Sequence, residues 1–163
     1  MPILLYRVDD RLVHGQVVVG WGQPLDLARI ILVDDVVAES EWEQDLYRMG
    51  VPPEMEIVFL SARSAAAQLR TLQADAKPAL LLTADIGTMR TLAERTGGIA
   101  NVNLGGVHHR DDRLQKLRYV FLSESEELDL RALAAHGVTV TAQDVPGASP
   151  VPLDDVLKGS GAT

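Results

Sequence analysis

The 163-residue chain contains no cysteine. That excludes a disulfide framework, a thiol nucleophile and a thiolate metal site. Aromatic residues make up only 4%, so a core has to be built from Leu, Val, Ala and Ile. No apolar run approaches the ~20 residues of a membrane-spanning helix. The N-terminus lacks the charged start and apolar stretch of a signal peptide. Positive charge is also short: 15 Lys and Arg against 23 Asp and Glu leave a formal net charge of −8. A general nucleic-acid binder and a polybasic membrane-surface protein both need a basic face. The phosphate-binding signature G-x-x-x-x-G-K-[ST] and the hydrolase signature G-x-S-x-G are missing too. These absences predict a soluble cytoplasmic protein with no nucleic-acid partner.

What is present is 47% hydrophobic residue, dealt out in short runs. The runs are Ile3 to Val8, Arg29 to Val33, Glu56 to Leu60, Ala79 to Leu82, Ala100 to Leu104, Tyr119 to Leu122 and Val138 to Thr141. Between them, Glu39 to Met49, Ser64 to Gln73, Gly87 to Thr96 and Glu126 to His136 carry apolar residues at helical spacing. Ser40-x-x-Glu43 and Ser123-x-x-Glu126 read as capping boxes, and Gly50, Gly97 and Gly137 as helix stops. His136 then places a favourable charge at the negative end of a helix dipole. Trp42 reads as a core residue of an amphipathic helix. Alternating strands and helices predict an α/β fold: a doubly wound, mostly parallel sheet of six to seven strands with helices on both faces. Residues 1–158 read as one domain, with 159–163 as a flexible tail.

In such a sheet ligands bind outside the carboxyl ends of the strands, near a switch in strand order. The loops at Asp9 to Gly15, Thr83 to Thr88 and Gly105 to Arg113 are expected to open onto that one edge. The first loop, Asp9-Asp10-Arg11-Leu12-Val13-His14-Gly15-Gln16, stands out. It puts one histidine between the first strand and a helix that starts with Val17-Val18-Val19-Gly20-Trp21. A helix start exposes free N–H groups and the positive end of the dipole, a natural seat for phosphate. Imidazole offers a neutral nucleophilic nitrogen near neutral pH, and an N-linked phosphate is a good leaving group. His14 is therefore the candidate phosphate carrier. Arg11, with its planar fork, is the candidate phosphate cation. Backbone N–H groups of Gly15, Gln16 and Val17 complete the expected cradle. His14 read alone could also be a capping or buried histidine, and Arg11 a salt-bridge partner of Asp9 or Asp10.

Adjacent residues on extended backbone point opposite ways, so Asp9 and Asp10 do not read as a paired acid/base site. One is expected to orient Arg11 or His14 and the other to cap the loop. His108 and His109 invite a metal reading, but neighbouring histidines rarely share an ion and no H-x-x-x-H spacing is present. With Arg110 and Arg113 they are expected to line the rim of the site. Gly20-Trp21-Gly22 falls after the helix begins and fails as a dinucleotide fingerprint. No metal and no cofactor is expected.

The segment D-D-R-L-V-H-G-Q resembles the active-site loop of the IIB component of the mannose/fructose/sorbose family of the bacterial sugar phosphotransferase system. Asn103-Leu104-Gly105-Gly106 resembles that family's N-x-G-G turn, and Gly137-Val138 with Gln143-Asp144-Val145-Pro146 its closing strand and exit. The resemblance implies that 1–158 is a IIB-type phosphocarrier domain. It further implies that His14 takes a phosphoryl group from a IIA phosphohistidine and passes it to a sugar at membrane IIC/IID partners. That would place the chain at the inner membrane peripherally. A homo-oligomer is compatible with these features. The histidine pair His108–His109 departs from the family pattern. Two other readings stand beside the transporter one: a regulatory phosphocarrier without transport, and a non-catalytic module binding a small anion or nucleotide.

Overall fold

The computed structural model describes residues 2–159. Seven strands form the main sheet: β1 (Ile3–Val8), β2 (Arg29–Val33), β3 (Glu56–Leu60), β4 (Ala79–Thr83), β5 (Asn101–Leu104), β8 (Thr139–Ala142) and β9 (Val151–Pro152). Their order is β3-β2-β4-β1-β5-β8-β9. Every pairing is parallel except β8 with β9. β6 (Leu114–Leu117) and β7 (Val120–Leu122) form a separate antiparallel hairpin.

Alternation along the strands sends side chains to two cores. Ile31, Val33, Ala79 and Leu81 meet α3 (Ala62–Ala74), α4 (Ile86–Thr96), α5 (Glu124–Ala135) and α6 (Leu153–Lys158). Ile30, Leu32, Leu80 and Leu82 meet Leu12, Val13, Val17 and Val18, with Val37 of α1 (Asp35–Ala38) and Tyr47 of α2 (Glu41–Met49). The sheet is thus doubly wound, as the alternation predicts. Ser123 and Glu126 complete a reciprocal cap on α5, while Ser40 accepts from the Glu43 N–H on α2. Gly97 ends α4 in the left-handed region, φ 63°.

Several expectations change. The run Tyr119 to Leu122 forms a strand, β7, but does not join the main sheet. It pairs with β6 and, through Phe121 N–H to the Val107 carbonyl at 2.8 Å, with the exit of β5. A short apolar run cannot tell which ladder it will join. β9 takes the seventh place instead. The stretch Glu39 to Met49 holds one helix, as expected, but a further short helix was not anticipated. α1 precedes it, capped by Asp34, and the chain restarts α2 at Ser40. Trp42 is not core: it is 71% exposed, on a helix with no buried residue. The helix after the first loop is a wide π-helix, Gln16–Gly22. Lys158 belongs to α6, which Gly159 closes at φ 68°; the rest of the expected tail, residues 160–163, lies outside the described residues. No helix among the described residues is long and apolar enough to cross a membrane.

Candidate active site

β1 runs between β4 and β5, and the three expected loops meet at its carboxyl end. Asp9 N–H donates to the Thr83 carbonyl at 3.0 Å, Asp10 N–H to Gly106 at 2.9 Å, and Gly105 N–H to Val8 at 2.7 Å. The first loop then turns sharply, with Leu12 N–H on the Asp9 carbonyl at 2.9 Å. Leu12 holds φ 58°, a region that costs a non-glycine residue about 1–2 kcal/mol. Burial of the Leu12 and Val13 side chains in the core holds the turn in place. Arg11 is thereby left outside, 45% exposed, while His14 comes back over the sheet end.

Asp9 is the hub. Its carboxylate is fully buried, yet it meets Arg7 Nη2 at 3.5 Å, Arg11 Nε at 3.7 Å and His14 Nε2 at 3.2 Å. It also accepts from the Arg11 N–H at 3.2 Å. Burial by itself raises its carboxyl pKa. The neighbouring His14 ring, the Arg7 guanidinium and the Arg11 N–H outweigh that and hold it below the ordinary aspartate value.

His14 sits within ion-pair reach of Asp9 but off the line of a well-formed hydrogen bond, and both its ring nitrogens are buried with no protein partner in full hydrogen-bond geometry. Among the described residues, five buried side-chain polar atoms lack such a partner: Arg7 Nε, Asp9 Oδ2, both His14 nitrogens and Arg29 Nε. Four of them belong to this one cluster. Buried polar groups are usually satisfied, so such a concentration marks a site with work left to do.

Beneath Asp9 lies Arg7, two residues earlier and on the same side of the strand. It is fully buried and packs 4.7 Å from the Trp21 ring. It donates to the Asn103 side-chain oxygen, to the Gln143 carbonyl at 2.9 Å and to the Asp144 carbonyl at 3.2 Å. Burial lowers its pKa, with Asp9 the largest opposing influence. Gly105 is glycine for this reason: a Cβ there would overlap the Arg7 guanidinium. Composition and loop motifs did not single out Arg7, Trp21 or Asp144 as site residues. The signal for Arg7 was there, an arginine inside Ile-Leu-Leu-Tyr-Arg-Val, a strand too apolar to leave a cation without an anion.

Asp10 points the other way. It accepts from His108 N–H at 2.7 Å, meets His108 Nδ1 at 2.5 Å and lies 3.7 Å from Arg113. Arg113 also donates to both oxygens of Glu126, at 2.8 and 2.6 Å. His109 turns elsewhere and packs its ring edge-on to Phe121 at 5.7 Å. The two histidines therefore face different partners, and the described residues contain no cluster of three or more acidic or histidine side chains arranged to hold a metal. Gly15 opens the π-helix with no side-chain cap. Gln16 sends its side chain to Arg11 and Asp144, a contact that the expectation of a backbone donor did not include. Arg110 is exposed, as a rim position requires.

The sequence model described as PTS system sorbose subfamily IIB component matches residues 3–163. The chain is 34% identical over 153 residues to the N-acetylgalactosamine-specific phosphotransferase enzyme IIB component 1 of Escherichia coli K12, covering 89% of this chain and 92% of that one. It is 31% identical over 138 residues to the sorbose-specific EIIB component of Klebsiella pneumoniae, covering 85% and 84%. The crystal structure of the IIBSor domain of the Klebsiella pneumoniae sorbose permease superposes with a TM-score of 0.88 at 29% identity, covering 98% of this chain and 99% of that one. The chain belongs to the sorbose-subfamily IIB components of the sugar phosphotransferase system, a family of phosphoryl transfer in sugar uptake.

Proposed function

We propose that His14 carries the phosphoryl group, receiving it from the phosphohistidine of a IIA component and passing it to a sugar held by membrane IIC/IID partners. The observation that carries this reading is the pairing of His14 Nε2 with the buried Asp9 carboxylate at 3.2 Å. A carboxylate at Nε2 fixes the proton there and leaves the lone pair on Nδ1. The attack requires Nδ1, buried in the free chain, to be uncovered as the donor docks; it then meets the donor phosphorus in line. The P–N bond to the donor imidazole breaks, and its electron pair returns to the donor nitrogen. The His14 ring gains positive charge as the new P–N bond forms. Asp9 balances that charge through Nε2–H, and the contact tightens from its present off-line geometry. Arg11 and the N–H groups of Gly15, Gln16 and Val17 meet the equatorial oxygens. Asp10 supports the loop from its far side. In the onward step a sugar hydroxyl attacks phosphorus, its proton passes to water or a base of the membrane partner, the P–N bond breaks with its electron pair going to Nδ1, and His14 returns to the neutral imidazole.

Partner identity follows the family: a IIA donor, IIC/IID acceptors and attachment at the cytoplasmic side of the inner membrane through them. Incubation with a phosphorylated IIA donor, followed by mass analysis, tests the reading. One phosphoryl group is expected on the parent chain and none on His14→Ala; the adduct is acid-labile and base-stable. Full labelling of His14→Ala would overturn it. Binding without labelling of the parent chain would favour the non-catalytic anion-binding module.

A further inference from the structure

The exposed Arg11 side chain is held by a chain of polar contacts from distant parts of the sequence. Arg11 Nη2 donates to Gln16 Oε1 at 2.7 Å. Gln16 Nε2 donates to Asp144 Oδ1 at 3.0 Å. Asp144 Oδ2 accepts from Arg118 Nη2 at 3.1 Å. Asp144 is itself anchored, because its backbone carbonyl accepts from Trp21 Nε1 at 3.3 Å and from Arg7 Nη2 at 3.2 Å. The same Arg7 pairs with Asp9. The loop after β1, the π-helix, the exit of β8 and the turn of the β6–β7 hairpin all meet here.

The polarity of this chain runs one way only. An ionised carboxylate has no proton to give. The Gln16 amide must therefore face Asp144 with its NH2 and Arg11 with its oxygen. We infer that Gln16 and Asp144 are positioning residues for Arg11, with Asp144 setting the direction of the Gln16 amide. The inference rests on the reading of His14 and Arg11 as the phosphoryl site.

The choice of a neutral amide at position 16 has a consequence. A phosphoryl group on His14 offers charged oxygens that a guanidinium can meet with two parallel bonds, a stronger partner than one neutral amide oxygen. Arg11 can then exchange Gln16 Oε1 for phosphate, while Gln16 stays on Asp144. The cation is ordered before the phosphoryl group arrives and is released without breaking an ion pair to Gln16. A carboxylate at position 16 would compete with the phosphate it is meant to receive.

The test is a swap of polarity. Asp144→Asn lets the amide at 16 turn over and present NH2 to the guanidinium. Phosphoryl transfer from phosphorylated IIA is then expected to fall by about tenfold to a hundredfold, the scale of a small misplacement. Gln16→Glu alone sets two carboxylates against each other across the 3.0 Å contact and is expected to fall as well. Gln16→Glu with Asp144→Asn restores a donor facing an acceptor. This pair is expected to transfer faster than either single variant, though slower than the parent. Proton exchange of the Arg11 guanidinium, followed by NMR without any donor, reports the clasp separately. It should quicken in Asp144→Asn and slow again in the pair, with the fold unchanged by circular dichroism. If the parent chain takes no phosphoryl group, the functional reading fails and the exchange data still decide the clasp. Unchanged Arg11 exchange in Asp144→Asn, or a double variant slower than both singles, overturns the inference.

Discussion

Asp9 and Asp10 are neighbours in sequence and live in different surroundings. Asp9 is buried at the end of β1 among Arg7, Arg11 and His14. Asp10 sits at the rim and holds His108 and Arg113, which in turn grips Glu126 at the start of α5. Extended backbone turns adjacent side chains to opposite sides, and the sheet does the rest. One side faces the two-core interior where three strands end; the other faces a surface loop. The comparison teaches that charge density does not identify a site. Both carboxylates have cationic neighbours, but the unpartnered polar atoms gather on the Asp9 side.

The sharpest way to break this contrast is to remove the cation under Asp9. Arg7→Met leaves a buried carboxylate without the buried guanidinium beneath it, a loss expected to cost about 3–5 kcal/mol. Urea unfolding measures it. A change below about 1 kcal/mol would mean that Arg7 and Asp9 are not a working pair.

Next in size is Arg11. Arg11→Ala should keep the fold and slow single-turnover transfer from phosphorylated IIA about a hundredfold, or roughly 3 kcal/mol. Lysine should recover only part, since a point charge does not reproduce the fork. Transfer by Arg11→Ala at the parent rate would make Arg11 a surface salt-bridge residue.

Acid should separate the two sides further. Asp9 has its pKa depressed in the folded chain. Its contribution to stability is therefore complete above the unfolded aspartate value, near about 4, and is lost as pH falls through the lower folded value. The stability gap between the parent and Asp9→Asn should narrow across that window. A gap independent of pH would contradict the depressed carboxyl.

The smallest effect is expected at the rim. His108→Ala removes one contact to Asp10, whose backbone N–H bond from residue 108 survives. A loss of about 1 kcal/mol with most phosphate uptake retained is expected from denaturation and labelling. Strong loss of uptake in a folded His108→Ala would move this histidine into the site.

Much of this arrangement was legible in the chain. The short apolar runs placed β1, β2 and β3 to the residue, and the loop motif placed His14 and Arg11 at the strand ends. What was not legible depended on contacts between distant segments. A four-residue apolar run could not say that Tyr119 to Leu122 would join a hairpin rather than the sheet. Helical spacing marked Trp42 but not whether anything would cover it. Asp144 is one of 23 acidic residues, and only the folded chain brings it to Gln16 across 128 positions.

The central claim is that Asp9 holds His14 at Nε2 so that Nδ1 takes the phosphoryl group. Phosphorus-31 and nitrogen-15 NMR of the chain labelled by phosphorylated IIA reads the bonded nitrogen directly. The account predicts phosphorus on His14 Nδ1, with the proton kept on Nε2 facing Asp9. Phosphorus on Nε2 would contradict it.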